Sequence, residues 1–363
     1  MVMTETSSEV RGRTKTAIID ADIHNELPSA KTLLKYLPLQ WRRRHELFGG
    51  RGGRRGSLYP RSVTGNARTD SWPPSGLPPG ADLDFMRQQL LDRFNIEYGI
   101  LNPFVGGSGQ RNVEYGAALC RAANDWLVAE WLEPEPRLRA AIVVPFEDGD
   151  LAAQEIDRVG DDPGFVQVLV MTRTAEPLGK RKYWKLYEAA ERHGLPIAMH
   201  FGGSSNGPIT AAGWVSYYIE DHVAAAQATQ AQVISMVCEG VFEQFPALRV
   251  VLTEGGFAWL PPLMWRLDRA WEKLHDEVPF LRRPPSAYIR EHMRITTQPM
   301  EEPPTARQFL QLLDQFGSDD MLLFATDYPH WDFDSPEDAF PAKLPERLER
   351  KIMAENARTT YRF

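Results

Sequence analysis

Three side chains able to bind a metal or move a proton fall within five positions near the start of the chain: Asp20, Asp22 and His24 in "AIIDADIH". They alternate with Ala21 and Ile23, directly after the apolar pair Ile18 and Ile19. At strand periodicity this spacing puts all three on one face. Three other apolar runs also end in a carboxylate or an imidazole: His200 after "LPIAM", Glu254 after "LRVVLT" and Asp327 in "MLLFATDYP". A buried charge without a partner costs several kcal/mol, so groups of this kind converging at one place require a cation. Two imidazoles with three carboxylates make a borderline-to-hard donor set, suited to Zn, Fe or Mn, and one or two divalent ions are expected. Each residue also has a plainer reading. His200 reads equally as a hydrogen-bonded core histidine, Asp327 as the cap of the following turn, and Glu254 as closing a tight turn before Gly255-Gly256. Capping needs alone do not explain why all of them end apolar runs.

The elements that must hold these groups are legible as an alternation of apolar runs and helical patterns. Eight runs predict strands: 17–24, 98–104, 139–147, 164–172, 195–201, 248–256, 293–299 and 321–329. Most are continuously apolar, as for strands buried on both faces. Helical patterns fill the gaps, for example at 113–132, 183–194 and 303–317, the last two ended by Gly194 and Gly317. Eight βα units at this length predict an α/β protein built as a (β/α)8 TIM barrel, in one domain over 1–363, with its chemistry at the carboxyl ends of the strands. Residues 38–80 break the rhythm as an irregular Arg/Gly/Pro-rich insertion after the first strand. Eight arginines lie between Arg42 and Arg68 against a single acid, Glu46. The stretch reads either as a lid that neutralises an anionic substrate or as a solvated surface loop.

The bulk composition narrows the classes. With 43% hydrophobic and 25% charged residues, the chain of 363 is that of a globular protein with one large core. A net charge of −8 argues against a nucleic-acid binder. Cys120 and Cys238 are far apart and outside any CxxC spacing, which points to a reducing compartment. No apolar run is long enough for a membrane span, and the first residues lack the apolar core of a secretory signal. A soluble, cytoplasmic protein acting on a small molecule is expected.

In "IIDADIH", "IAMHFGG", "VFEQFPALRVVLTEGGFAWLP" and "FATDYPHWDFD", taken in order, the chain resembles the amidohydrolase superfamily. The resemblance is to its amidohydrolase-related branch, which includes aminocarboxymuconate-semialdehyde decarboxylase alongside metal-dependent hydrolases and hydratases. It implies a distorted barrel with a divalent metal at the carboxyl-end mouth. It also implies that Asp22, His24, His200 and Asp327 are metal ligands, that Asp20 supports them, and that Asp327 handles a proton. Where the decarboxylases of the branch carry a histidine, this chain has Glu254, a residue able to bridge two ions or donate a proton. His222, in "YIEDHVAAAQ", reads as a ligand of a second metal or as a structural helix residue. His330 is expected to reach the substrate.

On this reading the chain is a metal-dependent hydrolase, with Asp327 as general base toward an activated water acting on an amide, ester or thioester carbonyl. The alternative on the same fold is a non-oxidative decarboxylase of an aromatic or unsaturated acid. A non-catalytic barrel binding a small ligand is a third. A homo-oligomer, a dimer, is the expected assembly. The apolar segment 257–271 reads as its interface or as an ordinary outer helix.

Overall fold

All eight predicted strands are present in the computed structural model, which describes residues 17–48, 66–202, 210 and 212–363. They are β1 (Ile18–Ile23), β2 (Ile96–Leu101), β3 (Leu138–Val143), β4 (Phe165–Met171), β5 (Ile197–His200), β6 (Val250–Thr253), β7 (Met293–Thr296) and β8 (Leu322–Leu323). The strands pair in chain order, each parallel to the next. The last returns to the first through backbone bonds: Ala21 N to Phe324 O at 2.9 Å, Asp327 N to Asp22 O at 3.0 Å and His24 N to Tyr328 O at 2.7 Å. The result is a nearly closed (β/α)8 barrel.

Local sequence accounts for the connecting helices. Val113–Leu127 starts where the Asn112 side chain accepts from Tyr115 N at 3.0 Å, and Ala306–Gln315 starts at Thr305 in the same way. Gly194 and Gly317 take φ of +64° and +65° just past their helices, a turn that side chains with a Cβ resist. Strand residues Ile142, Val168, Met199 and Leu252 pack outward with helix residues such as Trp126, Tyr187 and Phe309 into one main core. Inside the barrel the packing residues are smaller, with Ala141, Leu169 and Ala198 in one cluster. The helix Leu260–Leu274 buries Leu260, Pro261 and Met264 and leaves Trp265 exposed.

The 38–80 stretch is less irregular than its composition predicts. Leu39–Phe48 is a helix, because Pro38 presents its carbonyl to Trp41 N and Arg42 N and the Gln and Arg residues that follow are good helix formers. Residues 49–65, which carry four of the eight arginines, lie outside the described residues. The chain then returns against the candidate site: Arg68 N donates to Pro329 O at 2.9 Å and Trp331 N to Asn66 O at 2.7 Å. Arg68 itself pairs with Asp70, and Arg42 donates to the Lys35 and Leu37 carbonyls.

One partly buried ion cluster pins the barrel where β3 begins. Glu135 accepts from Arg137 Nε and Arg87 Nε, both at 2.8 Å, and the Arg137 guanidinium first, then Arg87, holds its carboxyl down at about 2. The folded value lies below the ordinary one, so this contribution is present above about pH 4.5 and fades as the pH falls toward 2. Glu135→Gln is expected to cost about 2 kcal/mol at pH 7 and almost nothing near pH 2, read as the gap between the two proteins' urea midpoints at each pH. An equal gap at both pH values would show that the carboxylate charge contributes nothing.

Candidate metal centre

The predicted site residues are brought to the carboxyl end of the barrel by the strands that carry them. Asp22 lies within β1 and His24 one residue beyond it; His200 ends β5; Glu254 follows β6; Asp327 and His330 lie on the loop after β8. Ligand atoms of Asp22, His24, His200 and Glu254 all lie within 4.8 Å of one another, and so do those of His24, Glu254, Asp327 and His330. His24 Nε2 is the common point, 3.3 Å from Asp22 Oδ1, 3.4 Å from Glu254 Oε1 and 3.0 Å from Asp327 Oδ1. His200 Nε2 stands 3.3 Å from Asp22 Oδ2.

Hydrogen bonds behind this cage decide what its inner atoms are. His24 Nδ1 meets the Asn102 carbonyl and His200 Nδ1 the Phe201 carbonyl, each at 2.7 Å. A carbonyl only accepts, so both Nδ1 atoms carry the proton, and in the neutral rings both Nε2 atoms point lone pairs inward. Asp22 Oδ2 and both Nε2 atoms are buried without a hydrogen-bond partner. Acceptors facing one another at this range repel unless a cation or protons lie between them, so the residues fit a divalent metal. Protons are the competitor. Burial disfavours the His24 and His200 imidazolium forms, but Asp22, Glu254 and, for His24, Asp327 outweigh it and raise both pKa values.

The backbone is bent to make this arrangement. Glu254 and Asp327 have φ of +54° and +58°, the left-handed region that costs a residue with a Cβ about 1–2 kcal/mol. Gly256 next door, at φ +62°, leaves room where a Cβ would sit 2.2 Å from Glu301 Oε1. Burial tends to raise the Glu254 carboxyl, but His200, His24 and His330 hold it well below the ordinary range. For Asp327 burial and the neighbouring Glu254 charge push the carboxyl up to about 7. Burial opposes the charged His330 ring, yet Asp327, whose Oδ1 is 2.6 Å from His330 Nδ1, wins and carries its pKa to about 9. The pair therefore retains a proton at the edge of the cage near neutral pH.

Asp20 belongs to neither donor group. Its Oδ1 accepts from Thr326 N at 2.9 Å and Asp22 N at 3.2 Å, and its Oδ2 from Thr326 Oγ1 at 2.6 Å, so it ties β1 to the strand-eight loop. Asp20→Ala is expected to lower stability by about 3 kcal/mol and metal affinity by roughly ten- to a hundred-fold, measured by chemical unfolding and by chelator competition. Unchanged affinity in a folded variant would limit Asp20 to the fold.

His222 is not brought into either donor group. It sits on the short helix Tyr218–Val223, and its Nε2 pairs at 2.8 Å with Asp332 Oδ2, which also accepts from Gln298 Nε2 at 2.9 Å. Three supporting residues escape the strand-end reading. Asn102 donates to Asp22 Oδ1 at 2.9 Å besides accepting from His24, Gln167 donates to Asn102 Oδ1 at 2.7 Å, and Thr326 anchors Asp20. Asn102 ends the run "YGIL" just as His200 ends its own, so the same rule extends to it; Gln167 lies in mid-strand and has no such mark.

Fold and site together define a (β/α)8 barrel with a buried histidine–carboxylate centre, suited to a divalent metal, at its carboxyl-end mouth. Residues 19–363 match the amidohydrolase family model, and the chain belongs to that family. It is 27% identical over 295 residues to the γ-resorcylate decarboxylase of Polaromonas sp., spanning 78% of this chain and 88% of that one. The γ-resorcylate decarboxylase of Rhodococcus jostii is 28% identical over 298 residues, with the same shares covered. In fold the chain is similar to the dihydroxybenzoic acid decarboxylase of Polaromonas sp., solved with bound manganese and the inhibitor 2-nitroresorcinol. That similarity has a TM-score of 0.64 at 20% identity and covers 95% of this chain and 96% of the other. No helix among the described residues is long and apolar enough to cross a membrane.

Proposed function

We propose that the chain is a metal-dependent, non-oxidative decarboxylase of a hydroxylated aromatic acid. The observation that carries this reading is its likeness to γ-resorcylate decarboxylases across 78% of its length. The cage by itself serves water activation equally well; the relatives' activity is what favours decarboxylation over the hydrolysis expected from the carboxylate-rich donor set. Glu254 then serves as a further carboxylate of the cage.

The residues divide the work as follows. Asp22, His24, His200 and Glu254 would hold the divalent ion, for which manganese in the Polaromonas structure is a precedent. When bound, such an ion supplies the positive charge that anchors the substrate's carboxylate and neighbouring phenolic oxygen. Decarboxylation breaks the bond between ring carbon and carboxylate, leaves the electron pair on the ring carbon and replaces carbon dioxide with a proton. Asp327, at the cage edge, is placed to deliver that proton, and His330 Nδ1, donating to it at 2.6 Å, to resupply it.

Purified, manganese-loaded protein incubated with ortho-hydroxybenzoates should release carbon dioxide and the matching phenol. Cleavage of amides, esters or thioesters with no carbon dioxide from any such acid would return the hydrolase.

A further inference from the structure

The groups that form the cage are all ionisable, but the ring lying against its two imidazole ligands is not. Phe104 comes two residues after Asn102, whose carbonyl orients His24. Its ring stacks on His24, with centroids 4.4 Å apart and planes 24° apart, and meets His200 edge-on at 4.7 Å. It lies almost parallel to His330, 13° apart at 6.4 Å. The imidazoles thus cover one part of the ring, yet Phe104 remains 43% exposed, beside a cage whose His24, His200 and Asp327 are 5% exposed or less. A half-open phenyl packed on the cage's imidazoles is an apolar surface within reach of a molecule bound there.

The physical preferences of ring and cage are opposite. The face of a phenyl ring carries partial negative charge, which disfavours a carboxylate and accepts another ring in offset or edge-on contact. The cage, loaded with a cation, attracts the carboxylate. An acid whose carboxylate is attached to a planar ring satisfies both at once. A saturated ring of similar size gains only burial of area, because it is thicker and lacks the complementary charge pattern.

We propose that Phe104 is the specificity-determining residue that selects acids bearing a planar unsaturated ring, by stacking on that ring while the cage takes the carboxylate. The choice of acid rests on the decarboxylase reading above; the selection by Phe104 is a statement about binding.

The test is titration calorimetry of the manganese-loaded full chain, carrying Asp327→Asn and otherwise unaltered so that bound acid is not turned over, with ortho-hydroxybenzoate and with its cyclohexane counterpart, alongside metal content. With Phe104 in place, this protein should prefer the aromatic acid by about ten-fold, ~1.4 kcal/mol. Phe104→Leu and Phe104→Ala, made in the same background, should keep their metal and cut that preference to about two-fold. An unchanged preference in metal-replete variants overturns the proposal, as does binding of neither acid with Phe104 in place. Loss of metal from Phe104→Leu overturns it too, because the ring then serves to support His24. If the preference falls as expected while the protein with Asp327 intact releases carbon dioxide from no acid, selection by Phe104 stands and the decarboxylase reading fails.

Discussion

His200→Ala should strip the protein of its metal. The side chain is fully buried, its Nδ1 is committed to the Phe201 carbonyl, and its Nε2 faces Asp22 Oδ2 with no hydrogen-bond partner. Replacing it removes a neutral lone pair from the cage and leaves Asp22 with one ligand fewer to share the ion. Metal affinity is expected to fall by at least about a hundred-fold, since loss of a merely supporting partner typically costs ten- to a hundred-fold. Elemental analysis after gel filtration should then drop from about one ion per chain to a small fraction of that. One ion is the expected starting ratio because His24 Nε2, common to both donor groups, has a single lone pair to give. Carbon dioxide release should fall in step, and far-ultraviolet circular dichroism should show the barrel retained. Full metal occupancy in the variant would remove His200 from the ligand set, and two ions per chain would make Glu254 a bridge.

Asp327→Asn should do the reverse, keeping metal and losing turnover. The amide has nearly the shape of the carboxylate, and Asp22, His24, His200 and Glu254 remain as donors. What disappears is the group that exchanges a proton with His330 and stands 3.0 Å from His24 Nε2. Positioned proton transfer contributes about 10²- to 10⁴-fold, so kcat should fall by about 10³-fold while KM changes little. His330→Gln, which removes the resupplying ring but leaves Asp327, should cost less, about ten- to a hundred-fold. Near-normal kcat in metal-replete Asp327→Asn would refute the proton role assigned to it.

Much of this site was legible before any fold was known, because the barrel enforces a simple rule. Strands buried on both faces must be apolar along their length, so a charged or imidazole side chain at the end of such a run stands out. Asp22, His24, His200, Glu254 and Asp327 all stand out that way, on four of the eight apolar runs, and all eight runs are strands in the structure. Asn102 follows the same rule at the end of β2, although its neutral amide draws less notice. Gln167 and Thr326 act through hydrogen bonds to residues 65 and 306 positions away in the chain, and no local pattern encodes partners so distant.

The proposal of decarboxylation over hydrolysis rests on different ground. The carboxylate-rich donor set suggested activated water, but two reactions that need the same cation can share one cage. Likeness to decarboxylases shifted the reading, and nothing in the residue types of the cage does so. His222 is the converse case. Its sequence position after β5 made it a candidate ligand, but a six-residue helix turns its ring toward Asp332. The insertion shows a third case. Its arginine content was plain, yet where it is described Arg42 and Arg68 are occupied by backbone carbonyls and by Asp70.

By itself, then, the sequence determined the barrel, the strand ends that carry chemistry and the donor types that favour a divalent cation. These follow from period, burial and charge, which are properties of short segments. Tertiary structure alone decided which nitrogen of each histidine faces inward, because the Asn102 and Phe201 carbonyls set that. It also decided the left-handed backbone at Glu254 and Asp327, and the Phe104 ring laid against the imidazoles. Each of these depends on angles and on contacts between distant segments, which the order of residues specifies only through the complete fold.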